Sequence, residues 1–316
     1  MSRHEVLIPH PFSENAKRTL EGVVSDLQGA TARVAETPAE TLTGFETATI
    51  AFTPRLPDEW RERATELEWA QATSAGYDHY DLDAIEEAGI VLTTAAGIHA
   101  QPIAEQALGA MLAFERNLLK ARDQHADGTW LRFSGGELAS KTVGIVGVGA
   151  IGTRVAQLAS AVGSTVVGTK RDVSTVPDGV DDLYPPSELD AVLRRSAYLV
   201  LACPLTPETR GLIDREALET MPRDAVIVNV ARGEVIDEEA IVEALQQGRI
   251  GGAALDVFED EPLPAEPRLW DLPNVLVTPH MAGSMPAYYE RVGDVFRENY
   301  DRFESGDLEG MRNRIV

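Results

Sequence analysis

Three glycines with the spacing G-x-G-x-x-G lie between a strand pattern and a helix pattern in the middle of the chain. Gly147, Gly149 and Gly152 follow the apolar run 142–146 and lead into the apolar-periodic stretch 153–162. In this context the first glycine allows a tight turn, the second lets a pyrophosphate approach the backbone, and the third lets the helix pack on the strand. The helix N-terminus offers free N–H groups to phosphates. The spacing predicts a dinucleotide-binding site rather than an ordinary glycine-rich turn.

The residues after the next predicted strand indicate which dinucleotide is bound. NAD sites usually carry an acidic residue about 20 positions after the glycines, where it accepts hydrogen bonds from the ribose. Here Thr169, Lys170 and Arg171 occupy that place, and Asp172 comes later, where we expect it to point past the ribose. A hydroxyl and two cations suit a 2′-phosphate. The segment favours NADP over NAD; the alternative is a pair of solvated loop charges.

An arginine and a histidine follow two further predicted strands, at the ends where ligands bind in parallel sheets. Arg232 follows strand 225–230, and a guanidinium can bind a carboxylate through two parallel hydrogen bonds. His280 ends strand 275–278, a placement suited to general acid–base catalysis. The alternatives are a solvated loop arginine and a structural histidine. Together the two side chains predict chemistry on a small carboxylate.

The elements that must position these side chains alternate between strands and helices. Residues 1–95 predict a small parallel sheet with helices between its strands. The predicted strands there are 5–8, 32–35, 48–52, 69–73 and 90–93, and the helices are 13–27, 57–66 and 82–88. A long helix, 101–121, follows. The second series has strands 142–146, 165–168, 198–202, 225–230, 253–257 and 275–278, helices 187–195 and 237–246, a proline-rich loop 259–267 and a last helix 285–303.

This order of elements predicts an α/β protein with two domains. Residues 99–284 form a Rossmann-type dinucleotide-binding domain, and the last helix is left over from it. We expect that helix to return to the first part of the chain. Residues 1–98 and 285–316 then form a smaller, discontinuous, flavodoxin-like domain that binds substrate. A cleft between the two domains is the expected active site.

The charge of the chain excludes some classes of partner. Its 316 residues include 51 acidic and 28 basic ones, giving a net charge of −23, and only four are lysines. Such a field repels nucleic acid and anionic membranes. Acidity combined with scarce lysine favours a protein of a saline cytoplasm, where molar salt shortens the Debye length to about 3 Å; the alternative is an acidic mesophilic protein. No run approaches the ~20 apolar residues of a membrane span, and we expect no secretory signal. One cysteine fits a reducing compartment.

Motifs along nearly the whole chain resemble those of the D-isomer-specific 2-hydroxyacid dehydrogenases, in particular an NADP-preferring, halophilic member of the glyoxylate/hydroxypyruvate reductase-like group. Their shared order and spacing are more specific than any single motif. The matching stretches are SAGYDH (74–79), GIHAQPIAEQALGAML (97–112), GVGAIG (147–152), ACPLTPETRGLI (202–213), NVARGEVID (229–237), ALDVFEDEP (254–262) and TPHMAG (278–283).

The resemblance implies reversible reduction of 2-oxoacids to D-2-hydroxyacids by hydride transfer from NADPH. Arg232 and the backbone amides of Ala75 and Gly76 would bind the substrate carboxylate, and His280 would act as the acid–base. Composition alone makes Glu261 one acid of a solvated loop. The family motif makes it the buried carboxylate that supports the charged imidazole. The predicted cofactor contacts are Gly147, Gly149, Ala150, Ile151, Gly152, Thr169, Lys170, Arg171, Ala202, Cys203, Pro204, Thr209, Val230, Ala231 and Asp256, the last toward the nicotinamide carboxamide.

Other activities of the same fold remain open at this point. Formate dehydrogenase relatives carry glutamine at the place of Glu261, which argues against that reaction. Phosphonate-oxidising relatives share the arginine, glutamate and histidine. A nucleotide-sensing, corepressor-like binding protein is the non-enzymatic alternative, and the lack of basic or proline-rich tails argues against it. We expect no metal, and we expect a homodimer through helix 101–121 and the segment HADGTW (125–130). The sequence leaves the side chain of the 2-oxoacid open.

Overall fold

Two units, each built on a parallel sheet, make up the chain. The computed structural model describes residues 4–265 and 269–316. Unit 1 consists of Met1–Ile98 and Met285–Val316, and unit 2 consists of His99–Ser284. The α/β class predicted from the alternating pattern is confirmed. Residues 266–268 lie outside the described part, so the end of the predicted proline-rich loop does too.

Unit 1 has five parallel strands in the order β2-β1-β3-β4-β5, the flavodoxin-like order. Helix α1 begins where predicted, because the Ser13 hydroxyl accepts a hydrogen bond from the Ala16 amide. Helix α2 was not predicted from the sequence, and α3 is shorter than the predicted helix 57–66. The strands are β1 (His4–Ile8), β2 (Ala30–Val34), β3 (Ile50–Thr53), β4 (Trp69–Ala72) and β5 (Val91–Thr93), and the helices are α1 (Glu14–Ser25), α2 (Pro38–Phe45), α3 (Asp58–Arg61) and α4 (Leu82–Glu87).

Unit 2 opens with two helices where one was predicted. Helix α5 (Ala100–Glu115) ends before Asn117, and α6 (Leu118–Ala126) begins after it. Asn117 has a φ of 54°, in the left-handed region, and its side-chain amide donates to the Ser134 carbonyl at 2.7 Å. The prediction of a continuous helix 101–121 is wrong, because this contact with a distant residue breaks it.

Seven parallel strands form the sheet of unit 2, in the order β12-β11-β10-β9-β6-β7-β8. Strands β7 and β8 lie on one side of β6, whereas β9 to β12 lie on its other side, so the strand order reverses between β6 and β9. Such switch points bind dinucleotides at the carboxyl ends of the strands. Strand β8 and helix α9 were not predicted from the sequence. The strands are β6 (Thr142–Val146), β7 (Thr165–Thr169), β8 (Asp182–Tyr184), β9 (Tyr198–Leu201), β10 (Val226–Asn229), β11 (Gly252–Leu255) and β12 (Val275–Val277), and the helices are α7 (Ala150–Ala161), α8 (Leu189–Leu193), α9 (Arg215–Thr220) and α10 (Glu238–Gln246).

The last helix, α11 (Tyr288–Ser305), packs into the core of unit 1. Phe296 stacks on Trp69 of β4 with ring centroids 4.8 Å apart, and it contacts Phe52 of β3. Asn299, fully buried, donates to the Arg312 carbonyl and accepts from the Arg312 amide. The returning segment is thus an integral part of unit 1.

Candidate active site

The glycine turn follows β6 at the switch point of the unit 2 sheet. Gly147 has a φ of 93°, and a Cβ there would lie 2.7 Å from the Cys203 Cα, so only glycine fits against the segment that follows β9. A Cβ at Gly152 would lie 2.3 Å from the Gly147 carbonyl oxygen. Gly149 faces open space and caps α7 without a side-chain hydrogen bond. The backbone therefore leaves room for a pyrophosphate beside free helix amides, as a dinucleotide requires.

Several predicted cofactor residues build the walls of this turn. The Thr169 side chain is buried, and its hydroxyl accepts from the Gly147 amide at 3.3 Å. The Thr209 hydroxyl donates to the Pro204 carbonyl at 2.6 Å. Burial raises the pKa of the Cys203 thiol to about 11, so this cysteine stays protonated near neutral pH. The hydroxyls of Thr169 and Thr209 thus stabilise the backbone around the turn through hydrogen bonds within the protein. The remaining predicted contacts lie nearby in the chain, Ala150 and Ile151 in the first turn of α7, Ala202 after β9, and Val230 and Ala231 after β10.

Two cations, Lys170 and Arg171, follow β7. Lys170 is partly exposed and Arg171 is exposed, and neither side chain forms a hydrogen bond or an ion pair with another described residue. The Lys170 backbone amide donates to the Tyr184 carbonyl at 3.0 Å. The Asp172 carboxylate accepts from the Ser174 amide at 2.9 Å, and the Ser174 hydrogen bonds, with a smaller effect of Lys170, lower the Asp172 pKa. The Asp172 carboxylate is therefore hydrogen-bonded within its own loop, whereas the side chains of Lys170 and Arg171 could bind an anion.

His280 and Glu261 form a hydrogen-bonded pair beyond β12 and β11. The His280 Nδ1 lies 2.7 Å from the Glu261 Oε2, and the other carboxylate oxygen accepts from the Phe258 amide at 3.1 Å. The side chains are 53% and 35% exposed in this order. The expectation of a buried carboxylate is therefore wrong in degree, because the loop after β11 leaves Glu261 partly open to solvent. The pairing fixes the imidazole plane and leaves Nε2 without a partner among the described residues.

Asp256 holds the loop that carries His280. Its carboxylate is buried and accepts from the Thr278 hydroxyl at 2.5 Å, the Met281 amide at 3.0 Å and the Ala282 amide at 2.8 Å. The Asp256 carbonyl accepts from the His280 amide at 2.8 Å. His280 has a φ of 47°, a left-handed conformation that histidine adopts more readily than most residues. The contact of Asp256 with the nicotinamide carboxamide stays a prediction, and both of its carboxylate oxygens accept hydrogen bonds from this loop.

Arg232 follows β10, next to the strand that leads to Glu261. The buried Asn229 shapes its turn by donating to the Arg232 carbonyl at 2.9 Å and accepting from the Ala231 amide at 3.0 Å. A Cβ at Gly233 would lie 1.9 Å from the Phe258 carbonyl carbon, so the turn packs closely on the segment before Glu261. Asn229 and Gly233 were not singled out from the sequence, although both belong to the motif NVARGEVID. The structure thus collects Arg232, Glu261 and His280 at the carboxyl ends of β10, β11 and β12, which are neighbours in the sheet.

Ala75 and Gly76 lie in unit 1, after β4. The Ser74 hydroxyl donates to the Gly76 carbonyl at 2.8 Å, and the Ser74 carbonyl accepts from the Ala95 amide. The Ala75 and Gly76 amides donate to no other described residue. Successive free N–H groups in a turn can bind an anion.

Neither a metal cluster nor a membrane span is found in the part of the chain that the structure describes. Within residues 4–265 and 269–316, no group of three or more histidine, cysteine, aspartate or glutamate side chains could hold a metal ion. The helices of the same residues include none that is long and apolar enough to cross a membrane.

Comparison with known proteins identifies similar sequences over most of the chain. The family model "D-isomer specific 2-hydroxyacid dehydrogenase, NAD binding domain" matches residues 108–282. D-3-phosphoglycerate dehydrogenase of Methanocaldococcus jannaschii is 33% identical over 96% of this chain, which spans only 58% of that protein's length. A glyoxylate/hydroxypyruvate reductase of Arabidopsis thaliana is 36% identical, with 79% of this chain and 78% of the relative aligned.

Solved structures with the same fold cover both units. A D-isomer specific 2-hydroxyacid dehydrogenase family protein from Aeromonas salmonicida superposes with a TM-score of 0.87 at 28% identity, covering 100% of this chain and 99% of the other. An NADPH-dependent glyoxylate/hydroxypyruvate reductase from Sinorhizobium meliloti, solved with NADP and sulfate, gives a TM-score of 0.84 at 29% identity, covering 99% and 98%.

Proposed function

The chain belongs to the D-isomer specific 2-hydroxyacid dehydrogenase family, and we propose that it reduces 2-oxoacids to D-2-hydroxyacids, reversibly, with NADPH as the preferred cofactor. Its relatives are oxidoreductases that act on hydroxyacids. The observation that carries the proposal is the 2.7 Å contact between His280 Nδ1 and Glu261 Oε2. Glu261 follows β11, which is next to the strand that Arg232 follows, β10. An arginine for the carboxylate and a supported imidazole for the proton are the groups that this reaction needs.

Each of these residues has a part in the proposed mechanism. The glycine turn of Gly147, Gly149 and Gly152 would hold NADPH, which would supply a hydride for the 2-carbon of the substrate. Arg232 and the amides of Ala75 and Gly76 bind the substrate carboxylate and so orient the carbonyl. His280 donates a proton from Nε2 to the carbonyl oxygen during reduction and accepts it during oxidation. The Glu261 carboxylate accepts the hydrogen bond from Nδ1–H and so stabilises the charged imidazole.

An assay of the purified chain with several 2-oxoacids tests this function. Oxidation of NADPH, followed at about 340 nm, should proceed with glyoxylate, hydroxypyruvate or pyruvate, and the best substrate identifies the preferred side chain. Turnover would argue against a corepressor-like sensor. A phosphonate-oxidising enzyme would instead reduce NADP in the presence of a phosphonate and leave all the 2-oxoacids unchanged. Glu261, in place of a glutamine, supports a hydroxyacid rather than formate as the substrate.

The preference for NADPH is expected to depend on Lys170 and Arg171. Replacing both with alanine should raise the KM for NADPH at least tenfold and change the KM for NADH less than twofold. A charge-assisted hydrogen bond contributes about 1.5–3 kcal/mol, and about 1.4 kcal/mol corresponds to tenfold. NADH has no 2′-phosphate for these cations to bind.

A matched control removes two exposed cations elsewhere in unit 2. Arg215 and Arg249 are paired with Glu243 and Glu219, and their double alanine variant makes the same change in net charge. It should leave the NADPH-to-NADH ratio unaltered. Equal losses of both cofactors in the Lys170 and Arg171 variant, or wild-type use of NADH as good as NADPH, would contradict the preference.

We place the protein in a high-salt cytoplasm because of its charge of −23. Screening of the self-repulsion should make the melting temperature rise as KCl increases from 0.05 M toward about 1 M, where the Debye length is about 3 Å. Thermal unfolding monitored by circular dichroism measures this. A melting temperature that stays flat over the KCl series would contradict the halophilic interpretation.

The proposed homodimer uses an apolar surface of unit 2. Trp130 is 92% exposed, Leu131 and Leu118 are also exposed, and α6 has no buried residue. Burial of such a patch against a second copy would remove apolar area from water. Light scattering should give twice the mass of one chain, and Trp130→Glu should shift it to one chain. A wild-type monomer in molar KCl would contradict the dimer.

A further inference from the structure

The first turn of α11 contacts the segment that leads to Ala75 and Gly76. The Tyr288 hydroxyl donates to the Thr73 carbonyl at 2.7 Å. Thr73 is buried, and its amide continues the pairing of β4 with β3 through the Thr53 carbonyl. Burial raises the pKa of Tyr288 to about 12, so the hydroxyl remains a donor at neutral pH. The hydrogen bond fixes the point at which the strand ends and the turn of free amides begins.

Among the described residues, no donor other than the Tyr288 hydroxyl binds the Thr73 carbonyl. The Ser74 carbonyl is held by the Ala95 amide, and the Gly76 carbonyl is held by the Ser74 hydroxyl. The Thr73 carbonyl precedes both, and a buried carbonyl that loses its donor is destabilised or moves toward another partner. Movement at Thr73 changes the direction in which the next two amides point.

The same turn of α11 also holds the end of the first chain segment of unit 1. The Arg291 guanidinium donates to the Ile98 carbonyl at 3.0 Å. Two backbone carbonyls that follow β4 and β5 are therefore fixed by side chains from one turn of the returning helix. Helix α11 therefore holds these two loops of unit 1 in place in addition to packing in its core.

We propose that Tyr288 is a positioning residue for substrate binding, which keeps the Ala75 and Gly76 amides directed at the substrate carboxylate. The inference rests on the proposed function, because it takes those amides as part of the 2-oxoacid site. Tyr288 would act on the contact between these amides and the substrate carboxylate, which we expect to be equally strong in the ground state and the transition state. Loss of such a contact raises KM and leaves kcat unchanged.

The neighbouring tyrosine provides a matched control. Tyr289 is half-buried, and its ring contacts Phe12 and Tyr288, but its hydroxyl forms no hydrogen bond with a described residue. Tyr288→Phe and Tyr289→Phe each remove one hydroxyl from the same helix turn and keep the aromatic ring. Only the first removes the hydrogen bond to Thr73.

The experiment compares both variants with the wild type by kinetics and by hydrogen exchange. Tyr288→Phe should raise the KM for the best 2-oxoacid, and the inhibition constant of oxamate, about three- to tenfold, with kcat and the KM for NADPH within twofold. Amide exchange in a peptide covering residues 71–79 should become faster. Tyr289→Phe should change none of these quantities.

Three results would overturn the proposal: an unchanged KM for the 2-oxoacid in Tyr288→Phe, a fall in kcat without a change in KM, or equal changes in the two variants. A wild type that reduces no 2-oxoacid would refute the proposed function and, with it, the substrate role of Tyr288. Hydrogen exchange at residues 71–79 would then still decide whether the hydroxyl holds the turn. The two failures are therefore distinguishable.

Discussion

Replacing His280 with asparagine is expected to lower kcat for 2-oxoacid reduction by about 10²–10⁴-fold, the usual contribution of a general acid–base group. NADPH affinity should stay within twofold, since the glycine turn follows β6 and the histidine follows β12. Asparagine is the informative replacement because His280 has a φ of 47°, and asparagine tolerates the left-handed region. Glutamine at this position would add backbone strain to the loss of the imidazole.

Two measurements complete this test. Cofactor binding followed by fluorescence titration shows whether unit 2 keeps its fold in the variant. His125→Gln, an exposed histidine on α6, is the control and should retain wild-type kcat. A His280→Asn variant with kcat near that of the wild type would rule out the imidazole as the acid–base.

Much of the fold followed from patterns that are local in the chain. The glycine turn was predictable because its three glycines satisfy steric needs within six residues, and the structure shows the contacts that a Cβ would make at Gly147 and Gly152. Most strands were predictable because short apolar runs are bounded by turns. Helix α2 was predictable in the same way but was not predicted: Thr37 is its N-cap and Pro38 its first residue, and both are residue types that favour the start of a helix.

The errors came from contacts between distant residues. Asn117 breaks a continuous helical pattern because its amide binds a carbonyl 17 positions away. The cofactor contact of Asp256 stays a prediction, but the amides and the hydroxyl more than 20 positions away that donate to its carboxylate could not be found from the sequence. Tyr288 attracted no notice because its partner, Thr73, lies 215 positions earlier. Contacts between residues that are far apart in the sequence cannot be predicted from the periodicity of apolar residues.

Replacing Arg232 with lysine is expected to lower kcat/KM for 2-oxoacids by about 10- to 100-fold, because the ammonium group cannot form the planar, two-point contact with a carboxylate. The substitution keeps the positive charge. It also keeps the contact of Asn229 with the backbone carbonyl of Arg232, although the guanidinium itself donates to the Ala231 carbonyl at 2.8 Å in the wild type. The KM for NADPH should change less than twofold. Steady-state kinetics with the best 2-oxoacid and saturating NADPH measure the effect.

A control variant at an arginine that is not proposed to bind substrate shows whether the arginine-to-lysine change has a general effect on the enzyme. Arg210 is exposed and lies 3.7 Å from Glu234, so Arg210→Lys makes the same chemical change in the same unit. Its kcat/KM should equal that of the wild type. If Arg232 binds the carboxylate, Arg232→Lys should also lose affinity for oxamate in parallel with kcat/KM, because the inhibitor presents the same carboxylate. Wild-type kcat/KM and wild-type oxamate affinity in Arg232→Lys would show that the guanidinium is only a loop charge.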